Sequence, residues 1–172
     1  LTDTSTGEKF FGSRYDLAAK SKPDDEIVFA TSLMNGPSIL RKQVWSVYAF
    51  DQFIFNIDRH IGNYLYTFNR QNNLTIQAFD FSLAAMVMGW PNKVDSSPLP
   101  EGCNTYRNWQ VIRQLSSNDS SCKDSAGNVL DKISKISSNV VENFFTSMPE
   151  EWVNPLQRDA LLTWWSNDGR SK

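Results

Sequence analysis

Just after the Gly36-Pro37 breaker, apolar residues begin to recur at helical spacing. Leu40, Val44, Val47, Tyr48 and Phe55, joined by Trp45 and Phe53, predict one long helix with Ser38 as its cap. Apolar side chains cover much of its circumference, so it is expected to be the buried spine of the domain. The period then changes. Tyr64–Phe68 is rich in strand formers, Arg70-Gln71-Asn72-Asn73 reads as a turn, and Leu74–Phe79 reads as a second strand, so a hairpin follows the helix. Helical spacing returns over about 105–116 (Trp109, Ile112, Leu115) and again over about 129–146 (Val129, Ile133, Ile136, Val140, Phe144). A final helix starts from Asn154 as N-cap, with Pro155 in its first turn and Leu156, Ala160, Leu161, Trp164 and Trp165 as its apolar face.

The segments between these elements are polar or broken. Residues 1–14 read as a linker ending in Phe10-Phe11-Gly12-Ser13-Arg14, and 15–37 are mixed, with a turn signal at Pro23–Asp25. Gly89, Pro91, Pro98, Pro100 and Gly102 make 89–108 a long irregular segment, of the kind that tends to carry function. Ser116–Ser125 reads as a short polar connector. The pattern as a whole predicts a mostly helical α+β fold, and 172 residues suit a single domain over 1–172.

Composition narrows the partners. A net charge of −2 supplies no electrostatic signature for nucleic acid or for an anionic membrane. No apolar run approaches the roughly 18 residues that cross a bilayer, and the polar start LTDTSTGEKF is not a signal peptide. Cys103 and Cys122 lie in polar, loop-like sequence without a metal-binding spacing; a pairing between them stays open, and two free thiols in a reducing cytoplasm is the plainer expectation.

One stretch carries chemistry. Asn56-Ile57-Asp58-Arg59-His60-Ile61-Gly62-Asn63 is followed, across the hairpin, by Ala78-Phe79-Asp80-Phe81-Ser82. Phosphoryl transfer needs a carboxylate to orient an acceptor hydroxyl and take its proton. It also needs hard oxygen donors for the Mg²⁺ that offsets the phosphate charge. An Asp, an Asn five positions later and a second Asp beyond a hairpin meet both needs in protein kinases, and Asp58, Asn63 and Asp80 have that order and spacing. A loop leaving the spine helix would hold Asp58 and Asn63, and the hairpin would return Asp80 to face them. Taken alone, Asp58-Arg59-His60 would read as a helix-end turn with a local Asp–Arg pair, and His60, the single histidine, as a structural residue.

Asn-x-Asp-Arg-His-x-x-Asn followed by a strand pair ending in Asp-Phe resembles the HipA-like family of bacterial serine/threonine kinases over residues 45–83. Lipid kinases of the phosphatidylinositol type share Asp-Arg-His-x-x-Asn more distantly, and Asn56 favours the HipA side. Met148-Pro149-Glu150-Glu151-Trp152 before the terminal helix adds a weaker likeness to the C-terminal portion of that family. The resemblance implies a kinase-like large lobe, a cytoplasmic setting, ATP and Mg²⁺ as cofactors, and a protein hydroxyl as acceptor. It also suggests membership of a toxin–antitoxin pair. It implies Asp58 as catalytic base and Asn63 and Asp80 as metal ligands. His60 is placed near the nucleotide phosphates or bracing the loop, with Phe79 and Phe81 packed beneath the site. Asp58, His60, Phe79 and Asp80 together form the expected nucleotide-binding set. Arg59 is expected to pair with an acid of a loop or activation segment, and Ser82 stands where many kinases have Gly.

No Gly-rich phosphate loop and no lysine-bearing strand precede the spine helix, and Gly7-Glu8-Lys9 is too short for a P-loop. The expectation is therefore a large lobe whose small β-lobe lies outside this sequence, with 1–14 as a linker or hinge remnant. Two other readings remain open at this level. One is a kinase-fold binding or regulatory module without catalysis; the other is a lipid or small-molecule kinase.

Overall fold

Gly36 and Pro37 separate two helices, as their backbone chemistry requires. The computed structural model describes residues 4–8, 19–20, 26–84, 99–116 and 119–166. Within these, α1 (Glu26–Asn35) stops at the breaker and α2 (Ser38–Phe53) starts directly after it. Pro37, not Ser38, takes the N-cap position, with φ −55° and ψ 153° and no side-chain cap. The rigid proline ring supplies the φ at which the chain enters the helix, so Ser38 is already helical. The linker through Phe10–Arg14, the turn at Pro23–Asp25 and residues 89–98 of the irregular segment lie outside the described residues.

Six further elements follow in the predicted order, with two changes. Strands β1 (Tyr64–Phe68) and β2 (Leu74–Ala78) pair antiparallel, with Tyr64 opposite Ala78 and Phe68 opposite Leu74. Asn72 takes the left-handed conformation (φ 58°) in the turn between them, and Asn69 Oδ1 accepts from the amides of Gln71 and Asn73. Helix α3 spans Asn104–Ser116, close to expectation. The helix expected over 129–146 is two helices, α4 (Ser121–Ser134) and α5 (Ser138–Thr146). Half of the supposed polar connector, 121–125, is the start of α4, and Cys122, expected in a loop, is buried within it. Helix α6 (Pro155–Ser166) ends the described chain.

The polar start of α4 has a physical reason. Asp119 Oδ1 accepts from the Ser121 amide at 3.1 Å, which caps the helix, and its Oδ2 accepts from Arg41 Nε at 2.9 Å. The first turns of the helix meet α2 through hydroxyls: Ser46 Oγ and Ser125 Oγ are 2.8 Å apart, and Ser125 Oγ donates to the Lys42 carbonyl. A contact made by serines leaves no hydrophobic period to read. Burial pushes the Cys122 thiol up to about 11, and both Cys103 and Cys122 are free thiols.

The main core joins both ends of the chain pattern. Phe29 and Leu33 of α1, Leu40 and Val44 of α2, Tyr64, Tyr66, Leu74 and Ile76 of the hairpin, and Ile112 of α3 form one buried cluster. Alternation puts Tyr64, Tyr66, Leu74 and Ile76 on the face of the hairpin turned to the helices. Trp109 of α3 stacks on Tyr48 (3.9 Å between centroids, 7° between planes) and meets Trp45 edge-on, so it is a packing residue of the α2–α3 interface. In α6, Asn154 Oδ1 accepts from the amides of Leu156 (3.0 Å) and Gln157 (3.3 Å), the expected cap. Leu161 and Trp165 are buried, whereas Leu156 is 81% exposed and falls outside the apolar face. The fold is mostly helical α+β, with one two-stranded sheet among the described residues. No helix among them is long and apolar enough to cross a membrane.

Candidate active site

The site begins at the way α2 ends. Phe55, expected inside the helix, lies just beyond it with φ 54°. The Phe55 amide donates to the Gln52 carbonyl (3.2 Å) and the Asn56 amide to the Asp51 carbonyl (2.8 Å), the paired bonds of a Schellman turn. Glycine is the usual residue at such a left-handed position, and its absence hides the helix end from sequence reading. The turn brings Asn56 back beneath the last turn of α2, where its Nδ2 donates to Asp51 Oδ1 at 2.8 Å.

Arg59 is the hub. It is 2% exposed and Asp51 is fully buried. Arg59 Nε donates to Asp51 Oδ2 at 2.8 Å and Nη2 to Oδ1 at 3.0 Å, a bidentate pair. Its Nη1 donates to the Asn63 carbonyl at 2.8 Å and also to the Phe79 carbonyl. The guanidinium lies over the Phe81 ring at 4.7 Å. The expected pairing with a loop or activation-segment acid is thus corrected: the partner is an acid of the spine helix. One cation ties that helix, the loop and the far end of the hairpin together.

Asp58, Asn63 and Asp80 are each fixed by this frame. The Asp58 amide donates to Asn56 Oδ1, and Asp58 Oδ1 accepts from Asn104 Nδ2 at 2.6 Å. Asn63 is buried and its Nδ2 donates to the Asp58 carbonyl at 2.9 Å, so the amide oxygen is its remaining polar end. The Phe79 amide donates to the Asn63 carbonyl at 3.2 Å, which sets Asp80 one residue beyond the point where hairpin and loop meet. Asp80 is exposed, in the left-handed conformation (φ 55°), and its Oδ1 accepts from the Ser82 amide (3.1 Å) and hydroxyl (2.7 Å). Those bonds, with smaller contributions from Arg59 and His60, hold its carboxyl below the usual carboxylate range. Two carboxylates and an amide oxygen are hard donors of the kind Mg²⁺ takes. Among the described residues no cluster of three or more His, Cys, Asp and Glu is placed to hold a metal ion.

The other expected residues divide. His60 is exposed, and its Nδ1 accepts from the Gly62 amide at 3.1 Å, so it braces the loop. Phe81 packs under the site against Arg59 and edge-on to Phe50, whereas Phe79 contributes its backbone. Ser82 anchors the Asp80 carboxylate. Sequence reading missed Asp51, Asn104 and Thr105. Thr105 is buried; its Oγ1 donates to the Asn56 carbonyl (2.6 Å) and accepts from the Arg59 amide (2.7 Å). A signal for Asp51 did exist. It falls seven residues after Val44, on the apolar stripe of α2, where a charge must find a partner. Asn104 and Thr105 are over forty residues downstream and left no such mark.

Two cavities among the described residues lie elsewhere. One of about 420 Å³ is lined by Lys42, Gln43, Ser46, Val47, Ile76 and Ser125, and one of about 340 Å³ by residues that include Arg41, Gln114 and Asp119. Comparison with protein-family models, with curated proteins and with solved structures found no match.

Proposed function

We propose that the chain is the catalytic-loop lobe of a kinase-type phosphotransferase of the HipA-like serine/threonine type, acting on a protein hydroxyl with ATP and Mg²⁺. The observation that supports it is that Arg59 grips the Asn63 and Phe79 carbonyls together while Asn63 Nδ2 donates to the Asp58 carbonyl, which joins the segments bearing Asp58, Asn63 and Asp80. Asp58 would orient the acceptor hydroxyl and take its proton as the oxygen bonds to the γ-phosphorus and the bond to the β–γ bridging oxygen breaks. Asn63 and Asp80 would hold Mg²⁺, which neutralises phosphate charge when bound. Asp58→Ala and Asp80→Ala, each measured for transfer from γ-labelled ATP in the full-length protein, should abolish transfer with the melting temperature kept. Normal turnover in either variant refutes the assignment.

A second reading has its own support. Ser82 stands where many kinases have Gly and donates its hydroxyl to Asp80 Oδ1, as suits a kinase-fold module that binds a partner without catalysis. Calorimetric titration with Mg·ATP separates the two, since such a module binds neither metal nor nucleotide at this site. A lipid or small-molecule acceptor would share the metal site and emerge from an acceptor screen.

A further inference from the structure

We infer that Asn104 is the positioning residue for Asp58, an inference that rests on the phosphotransferase reading. Asn104 opens α3 and stands 46 residues from Asp58 in sequence, yet its Nδ2 meets Asp58 Oδ1 at 2.6 Å. A carboxylate only accepts hydrogen bonds, so an amide nitrogen is a suitable group to hold it. With Oδ1 held, Oδ2 is the oxygen left for an acceptor hydroxyl. No hydrogen bond reaches it among the described residues.

The support behind Asn104 is rigid. The next residue, Thr105, is clamped on both sides of the loop through the Asn56 carbonyl and the Arg59 amide, and its own amide donates to the Ile57 carbonyl at 3.3 Å. Further along α3, Trp109 is stacked on Tyr48 of the spine helix. The start of α3 therefore cannot shift without carrying Asp58 with it. The Asn104–Asp58 bond is itself solvent-exposed. Exposed pairs add little to stability, so its consequence falls on the orientation of the carboxylate, while the buried Thr105 bonds hold the fold.

Three variants of the full-length protein test this, with γ-labelled ATP and Mg²⁺, casein as acceptor, and autophosphorylation measured alongside. Asn104→Ala should lower kcat roughly ten- to a hundredfold, the range of one hydrogen bond to a charged group. KM for ATP and the affinity for Mg·ADP should stay within about twofold, because Asn63 and Asp80, the proposed metal ligands, make no hydrogen bond with Asn104. Asn104→Asp keeps a residue suited to a helix start but sets a carboxylate against Asp58. It should lose kcat at least as far with its melting temperature kept. Asn104→Gln retains the donor and should recover part of the loss. An active parent whose Asn104→Ala and Asn104→Asp variants keep kcat overturns this inference alone, as does a loss of kcat that tracks melting temperature across the three. A parent that neither binds Mg·ADP nor transfers phosphate overturns the phosphotransferase reading, and this inference with it.

Discussion

Replacing Asp51 by Asn removes one negative charge from the interior and leaves the volume unchanged. The parent carboxylate receives Arg59 Nε, Arg59 Nη2 and Asn56 Nδ2, all within 2.8–3.0 Å. An amide at this position keeps one acceptor oxygen and turns an NH₂ group toward the guanidinium and Asn56, so donors face donors. Arg59, 2% exposed, has no water to fall back on. Removing one partner of a buried ion pair costs about 3–5 kcal/mol, against a total stability on the order of 5–15 kcal/mol for a domain. For a chain of this size that is a fall in melting temperature of roughly 6–20 °C. Urea denaturation followed by tryptophan fluorescence measures it, since Trp45 and Trp109 sit in the α2–α3 interface and report its loss. Replacing both partners, Asp51→Leu with Arg59→Met, should cost less than the sum of the two single variants, because no charge is then left buried alone. If the proposed phosphotransfer holds, the double variant should still lose it, as nothing then grips the Asn63 and Phe79 carbonyls. An Asp51→Asn variant within about 1 kcal/mol of the parent would show that the pair is not the hub derived for it.

Other outcomes follow from the same geometry. Hydrogen bonds from Ser121 and then Arg41 hold the Asp119 carboxyl down from 3.8 to about 2. Its contribution is therefore complete above about pH 4 and lost as pH falls from about 4 towards 2. Asp119→Ala should cost about 1–2 kcal/mol at pH 7 as a lost cap, and the gap in urea midpoint between variant and parent should close towards pH 2; a gap constant from pH 5 to 2 contradicts the linkage. Thr105→Val leaves the buried Arg59 amide and Asn56 carbonyl without their partner and should cost about 2–4 kcal/mol by urea denaturation; a cost below about 1 kcal/mol would mean those groups find other partners. At Gly62 an added Cβ would meet His60 Cε1 at 2.9 Å. That ring is the exposed end of a side chain able to swing away, so Gly62→Ala should change stability by less than about 1 kcal/mol, and a larger drop in melting temperature would show that the His60 brace matters to the fold.

Local chemistry determined much of this protein in advance. The Gly36-Pro37 break, the hairpin over 64–78, the Asn154 cap and the helix over 104–116 follow from backbone preferences and from the period of apolar residues, both carried by neighbours in sequence. The order Asp58, Asn63, Asp80 was legible for the same reason, because a short loop and a tight hairpin leave few ways to arrange them. Where hydrophobic period was silent, reading failed. A helix start capped by Asp119 and docked through serines looked like a linker, and a Schellman turn without glycine looked like more helix. Only the tertiary structure decided that Asp51 receives Arg59, and that Asn104 and Thr105 close on the loop from α3. Those contacts join residues far apart in the chain, and the propensities of neighbours carry no record of them. They form because a buried charge and a buried backbone amide must each find a partner wherever the packed elements bring one within reach.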